Sequence, residues 1–197
     1  MNQRFDSTTL PDGTRVAFAL AGSGPFLVVP PGWVSHLELS WALPPERRFY
    51  EALANGRTLI RYDRPGCGLS DRVDLGQSLE AELAVLGAVT AAVGADRFDL
   101  FGASLGALVA LAWAASNPES VDRLVLYGGW VRGADVAPPA VREHVVGLVR
   151  THWGFGSEVL ADIFIPDAGP GVRAAFAQYE RDSASPEVAA ESATSTR

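Results

Sequence analysis

The sequence predicts an α/β fold, with a mostly parallel sheet, an antiparallel hairpin at its N-terminal edge and helices on both faces. Three observations lead there. Strand-like and helix-like segments alternate from Phe26 to Tyr127, the pattern of parallel strands joined by crossover helices. Two short runs, Phe5 to Thr9 and Arg15 to Leu20, are joined by Pro11-Asp12-Gly13, whose fixed and permissive backbones favour a tight turn. A Gly102-Ala103-Ser104-Leu105-Gly106 segment links an apolar run to a long helical pattern, as a sharp strand-to-helix turn does. The 197 residues suffice for one sizeable core.

Each element has its own reason. Phe26 to Pro30 is a compact apolar run of buried-strand character. A Pro- and Trp-rich segment, Pro31 to Pro45, reads as a loop, and Glu46 to Ala54 as a short helix. Arg57 to Tyr62 alternates as a strand and enters the loop Asp63 to Ser70. Ser78 caps a helix to about Val93, with Glu80 and Glu82 placed well in its first turn. Phe98 to Ala103 is the strand before the sharp turn. Leu105 to Ala115 is apolar nearly all round, so this helix is expected to be buried, and Asn117-Pro118 ends it. Val121 to Tyr127 is the next strand. Beyond Gly129 the character turns helical. Val141, Val145 and Leu148 share a face after Pro138-Pro139. Val159 to Ile165 fits strand or helix, Val172 to Arg181 reads as a helix, and Ser183 to Arg197 as a frayed segment.

Composition narrows the function classes. Hydrophobic residues make up 48% and charged residues 20%, as in a soluble globular protein. Net charge is −7 and all 16 basic residues are arginine, without a basic stripe, which argues against nucleic acid. The single cysteine, Cys67, excludes an intrachain disulfide framework and favours the cytoplasm. Met1 to Thr9 lacks an apolar signal core, and no apolar run is long enough for a membrane span. No metal or cofactor is expected.

Three motifs in order carry a family resemblance: Pro30-Pro31-Gly32-Trp33 after one strand, Asp63-x-Pro65-Gly66-x-Gly68-x-Ser70 after the next, and the Gly102 to Gly106 turn. With them the chain resembles the α/β-hydrolase superfamily from about Phe5 to Gly129. Trp33 to His36 and Asp63 to Gly66 also resemble a bacterial subgroup often found beside transcription-regulator or nucleotide-cyclase modules. The resemblance implies Ser104 as nucleophile, with Gly102 and Gly106 as the elbow glycines. It implies the backbone N–H groups of Leu105 and Trp33 as oxyanion donors, with Pro31 standing where relatives often carry histidine. Asp63 and Ser70 match structural positions. The domain division that follows is a core over 1–129, a helical cap over 130–190 and a frayed tail over 191–197.

The same resemblance puts the catalytic acid after a strand beyond the cap, and the histidine after the last strand. The sequence runs out in cap-like residues, so a shortened chain is implied, with acid and histidine unassigned. No other group substitutes convincingly. His36 reads as a loop-packing or surface residue, His144 and His152 as interior cap histidines on the helical face of Val141, and Cys67 as a packing residue. Asp135 falls too far beyond its strand to match the family acid. Asp167 follows Ile163-Phe164-Ile165-Pro166 in imitation of a strand-end acid. Trp33, Trp41, Trp130 and Trp153 either line an apolar acyl pocket or form the core of the cap.

The expected function is a serine hydrolase acting on an ester or similar acyl bond of a small molecule, with an incomplete triad. The alternatives are a non-catalytic ligand-binding or sensor domain on the same fold, and a truncated gene product. An uncovered Val121 to Tyr127 edge predicts self-association or completion by another polypeptide.

Overall fold

The computed structural model of the protein describes residues 1–73, 78–130, 135 and 137–193. The expected hairpin forms from β1 (Arg4–Thr9) and β2 (Arg15–Gly22), in antiparallel register from Arg4 opposite Leu20 to Thr9 opposite Arg15. Then follow β3 (Phe26–Val29), α1 (Leu37–Ala42), α2 (Pro44–Leu53), β4 (Thr58–Tyr62), α3 (Leu79–Ala92), β5 (Phe98–Ala103), α4 (Leu105–Ser116) and β6 (Val121–Tyr127). The chain continues with α5 (Pro139–Thr151), α6 (Trp153–Phe164), α7 (Pro170–Ser183) and α8 (Pro186–Ser192). The sheet runs β1-β2-β4-β3-β5-β6. β2 meets β4 antiparallel, and the β4–β3, β3–β5 and β5–β6 ladders are parallel.

Side-chain alternation divides the core between the two faces. Val28, Ile60 and Leu100 pack with Val85, Leu86 and Val89 of α3 and with Val109 and Ala110 of α4. On the other face Leu27, Val29 and Leu59 pack on Trp41 and Ala54 of the α1–α2 side. The Ser78 hydroxyl caps α3 by accepting from the Ala81 N–H.

Two elements depart from the sequence reading. The segment read as a Pro- and Trp-rich loop contains α1, whose six residues are too few for a clear period; His36 caps it and Leu37, Ser40 and Trp41 are buried. The segment read as frayed contains α8. Ser185 accepts from the Val188 N–H, Pro186 presets the first turn, and Ala189 and Ala190 are fully buried. The small residues that looked like disorder are those that fit under a neighbouring helix. Residues 194–197 of the expected tail lie outside the described residues.

β6 stands at the sheet edge, with Val125, Leu126 and Tyr127 52%, 44% and 73% exposed. Among the described residues no helix is long and apolar enough to cross a membrane.

Candidate active site

The sharp turn forms where the sequence puts it, between β5 and α4. Ser104 has φ 55 and ψ −127, and it is the one positive-φ residue other than glycine among those described. An L-residue holds such a backbone only where its surroundings enforce it. The flanking glycines do so. A Cβ on Gly102 would lie 2.6 Å from the Ala107 Cα, and one on Gly106 would lie 2.4 Å from the Pro30 carbonyl oxygen. The start of α4 is thereby seated against the Pro30-Pro31 turn.

The backbone donors sort themselves by what they already bond. The Ser104 N–H donates to the Tyr127 carbonyl at 3.0 Å, which ties the turn to β6. The Leu105 N–H opens α4 and has no partner within the helix. Neither it nor the Trp33 N–H donates to another described residue. Trp33, Ser104 and Leu105 line one cavity of about 280 Å³. Its remaining wall is mostly apolar, from Trp130 and from Val141, Val145, Leu160 and Phe164 of the helical layer.

The Trp33 turn is held from several sides. Its indole meets Trp153 and Phe164 edge-on, each with centroids 6.0 Å apart. Its carbonyl accepts from the Arg64 guanidinium at 2.9 Å. Arg64 is 1% exposed and pairs with Glu82 at 2.9 Å. Below it, one Asp63 carboxyl oxygen accepts from the Leu37 N–H at 3.1 Å and the Leu69 N–H at 2.9 Å. Burial nevertheless holds that carboxyl above its ordinary range. The Ser70 hydroxyl donates to the Asp63 carbonyl and accepts from the Ala17 N–H. Asp63 and Ser70 are thus loop braces, as their positions suggested. Sequence reasoning missed Arg64 and saw in Glu82 only a helix-start charge. The available signal was an arginine between two residues of a buried loop.

No histidine lines the cavity. His36 spends Nδ1 on the Leu39 N–H at the start of α1, and burial lowers its pKa. His144 and His152 are exposed, not interior, because α5 turns Val146 and Val149 into the core instead. Val141 and Val145 face the cavity. Asp135 is exposed. Asp167 is exposed in the turn after α6: Ile163 and Phe164 belong to that helix, so the imitation strand end does not exist. Cys67 is fully buried, and its thiol is pushed up to about 11 by that burial, which leaves it inert at neutral pH. Among the described residues no group of three or more His, Cys, Asp or Glu side chains is arranged to hold a metal ion.

The four tryptophans singled out above divide. Trp33 and Trp130 line the cavity, Trp153 packs in the helical layer, and Trp41 lies under the sheet.

Comparison with known proteins agrees with this fold. A family model described as alpha/beta hydrolase fold matches residues 25–186. The pyrrolizixenacetamide deacetylase of Xenorhabdus hominickii is 34% identical over 140 residues, covering 70% of this chain and 50% of that protein. A 2-hydroxy-6-oxononadienedioate/2-hydroxy-6-oxononatrienedioate hydrolase of Paraburkholderia phymatum is 32% identical over 161 residues, covering 79% and 51%. The chain therefore spans about half the length of these curated relatives. Among solved structures, an esterase from Exiguobacterium antarcticum superposes with a TM-score of 0.82 at 22% identity, covering 97% of this chain and 72% of that one. An enol-lactonase from Burkholderia xenovorans LB400 gives 0.76 at 20% identity, covering 97% and 73%. At these identities the structures speak for the fold alone.

Proposed function

The chain belongs to the α/β hydrolase fold family, and on that premise we propose that it carries the nucleophile half of a serine hydrolase acting on an ester or similar acyl bond. The observation that carries the proposal is the Ser104 backbone, held at φ 55 on a cavity shared with the Leu105 and Trp33 N–H groups. In this reading the Ser104 Oγ attacks the substrate carbonyl carbon and gives up its proton to a base. The carbonyl π electrons move to oxygen, and the two N–H groups hold the resulting oxyanion. The leaving group departs with a proton, and water then releases the acyl group from Ser104. Residues 1–129 act as the core, and 130–190 as a cap whose apolar side chains receive part of the substrate.

None of the three histidines supplies the base, so efficient turnover requires one brought by another segment or polypeptide. Without it, loss of the base costs on the order of 10⁴ to 10⁶ in turnover. We read the protein as cytoplasmic, acting on a small acyl substrate, with no nucleic-acid partner and no cofactor. The relatives' names, a deacetylase and a dienedioate hydrolase, both describe cleavage of a carbonyl-bearing substrate and support this class.

The test is 4-nitrophenyl butyrate with the 197-residue chain. Slow release of up to one nitrophenol per chain, lost in Ser104→Ala, is expected. Equal release from both proteins would overturn the assignment. The absence of a cavity histidine also favours a second reading, a ligand-binding domain. Ligand-induced thermal stabilisation that persists in Ser104→Ala, with hydrolysis in neither protein, would select it.

A further inference from the structure

A second cavity, of about 450 Å³, also reaches Ser104. It runs over the ends of β3, β4 and β5 toward α2 and α7, and it shares Trp33, Ser104 and Phe164 with the apolar cavity. Its far wall differs in character: Arg61, Glu46, Tyr50 and Tyr179 line it.

Arg61 is the informative residue there. It sits in β4 and is 7% exposed. Its guanidinium donates to Gln3 Oε1 at 3.1 Å and to the Ser40 hydroxyl. Its Cζ lies 3.5 Å from the centre of the Tyr50 ring and 5.9 Å from that of Trp41. Every one of these partners is neutral. Among the described residues no carboxylate comes within ion-pair distance of it. A buried guanidinium is ordinarily matched by an anion, because its desolvation is otherwise uncompensated. Aromatic faces offset only part of that cost.

The acids nearby do not fill this role. The two N–H groups bonded to Asp63 come from the first residue of α1 and from the Asp63–Ser70 loop, and that carboxyl ties the two together. Glu46 lines the same cavity one helical turn before Tyr50, yet makes no ion pair with Arg61. Burial keeps the Tyr50 and Tyr179 phenols protonated past neutral pH, and the Tyr50 hydroxyl already lies in hydrogen-bond reach of Glu46.

We propose that this second cavity is a carboxylate subsite centred on Arg61, and that the substrate is a half-ester of a dicarboxylic acid. The apolar alcohol occupies the cavity under the cap, the ester carbonyl sits at Ser104, and the free carboxylate meets Arg61 with Tyr50 and Tyr179. The substrate class rests on the hydrolase reading of Ser104. The spacing is compatible. β4 and β5 are separated by β3, and Arg61 lies level with Val29, three residues short of the height of Ser104. Two ladder spacings and three residues of rise put the two backbones about 14 Å apart. The cavity lined by both residues bridges that distance.

The test uses the Ser104→Ala chain, which cannot turn over. Binding of the monophenyl esters of succinate, glutarate and adipate is measured by calorimetry beside neutral phenyl pentanoate. At least one half-ester is expected to bind 10-fold or more tighter than the neutral ester. Added Arg61→Gln should erase the preference, Arg61→Lys should keep part of it, and Glu46→Gln should widen it. Circular dichroism checks the fold of each variant. If Arg61→Gln does not fold, Glu46→Gln and the loss of preference at high salt decide the matter. Equal binding of charged and neutral esters overturns the subsite, as does a folded Arg61→Gln that keeps the preference or a Glu46→Gln that leaves it unchanged. Fluorophosphonate reaction at Ser104 of the wild-type chain is scored separately. Labelling without anion preference rejects the subsite alone; anion preference without labelling rejects the hydrolase reading alone.

Discussion

Replacing Gly106 by alanine should separate the elbow's geometry from its chemistry. The added Cβ would lie 2.4 Å from the Pro30 carbonyl oxygen and 3.0 Å from that of Pro31. Both obstacles are backbone, so no side-chain rotation relieves them. Overpacking of this kind costs about 1–3 kcal/mol. The better helix propensity of alanine returns at most about 1 kcal/mol. The clash wins, and a net loss of about 1–2 kcal/mol lowers Tm by about 2–8 °C for a chain of this size. The relief moves the Trp33 turn away from α4, and a shift of about 1 Å in a catalytic group costs roughly 10²-fold in rate. Gly147→Ala is the control, because a Cβ at this exposed position of α5 meets nothing within 4 Å. It should raise Tm slightly and leave reactivity alone. Thermal denaturation and the rate of fluorophosphonate labelling are read on both variants. A Gly106→Ala chain as stable and as reactive as wild type would refute the view that this contact seats the oxyanion turn.

Other consequences follow from the same contacts. Arg64→Met leaves Glu82 half-buried without its cation and removes the donor to the Trp33 carbonyl; breaking one side of such a pair costs about 3–5 kcal/mol, measurable as a shift in the urea midpoint. Glu180 is fully buried on α7, neither carboxyl oxygen has a hydrogen-bond partner among the described residues, and burial pushes its pKa up to about 8, against a smaller opposing pull from Arg181. The folded protein therefore holds this proton more tightly than the unfolded chain, so stability is fully present below the unfolded value of 4.5 and is lost as pH rises toward 8. Glu180→Gln should match wild type in urea at pH 4.5 and exceed it at pH 8; equal pH slopes for the two proteins would contradict this. The exposed β6 edge should make the chain self-associate in light scattering, and Val125→Lys with Tyr127→Lys should return it to a monomer.

Much of this was legible because it rests on local periodicity. The hairpin turn, the alternating strands and the Ser78 cap each depend on residues close in sequence. The elbow was legible for the same reason, since five consecutive residues define it. The parts that escaped depend on what lies across the fold. Arg61 and Arg64 occupy inward positions among Leu59, Ile60, Tyr62 and Asp63, and a strand pattern does not say what faces a buried charge. α8 was hidden because Ala189 and Ala190 are small, and only the neighbouring helices make that smallness informative. Ile163 and Phe164 suggested a strand end, but tertiary packing of α6 on α7 decided for helix. The histidines illustrate the limit most clearly: their spacing on α5 fitted an inward face, while the helix turns a different pair of valines inward.

The central claim is that Ser104 is a presented nucleophile beside two backbone donors that have no partner among the described residues. Mass mapping of the chain after hours with a fluorophosphonate tests it most directly. The account predicts one adduct per chain, on the peptide containing Ser104, forming slowly because no histidine of this chain reaches the cavity. An unmodified Ser104, or an adduct on another residue, would contradict it.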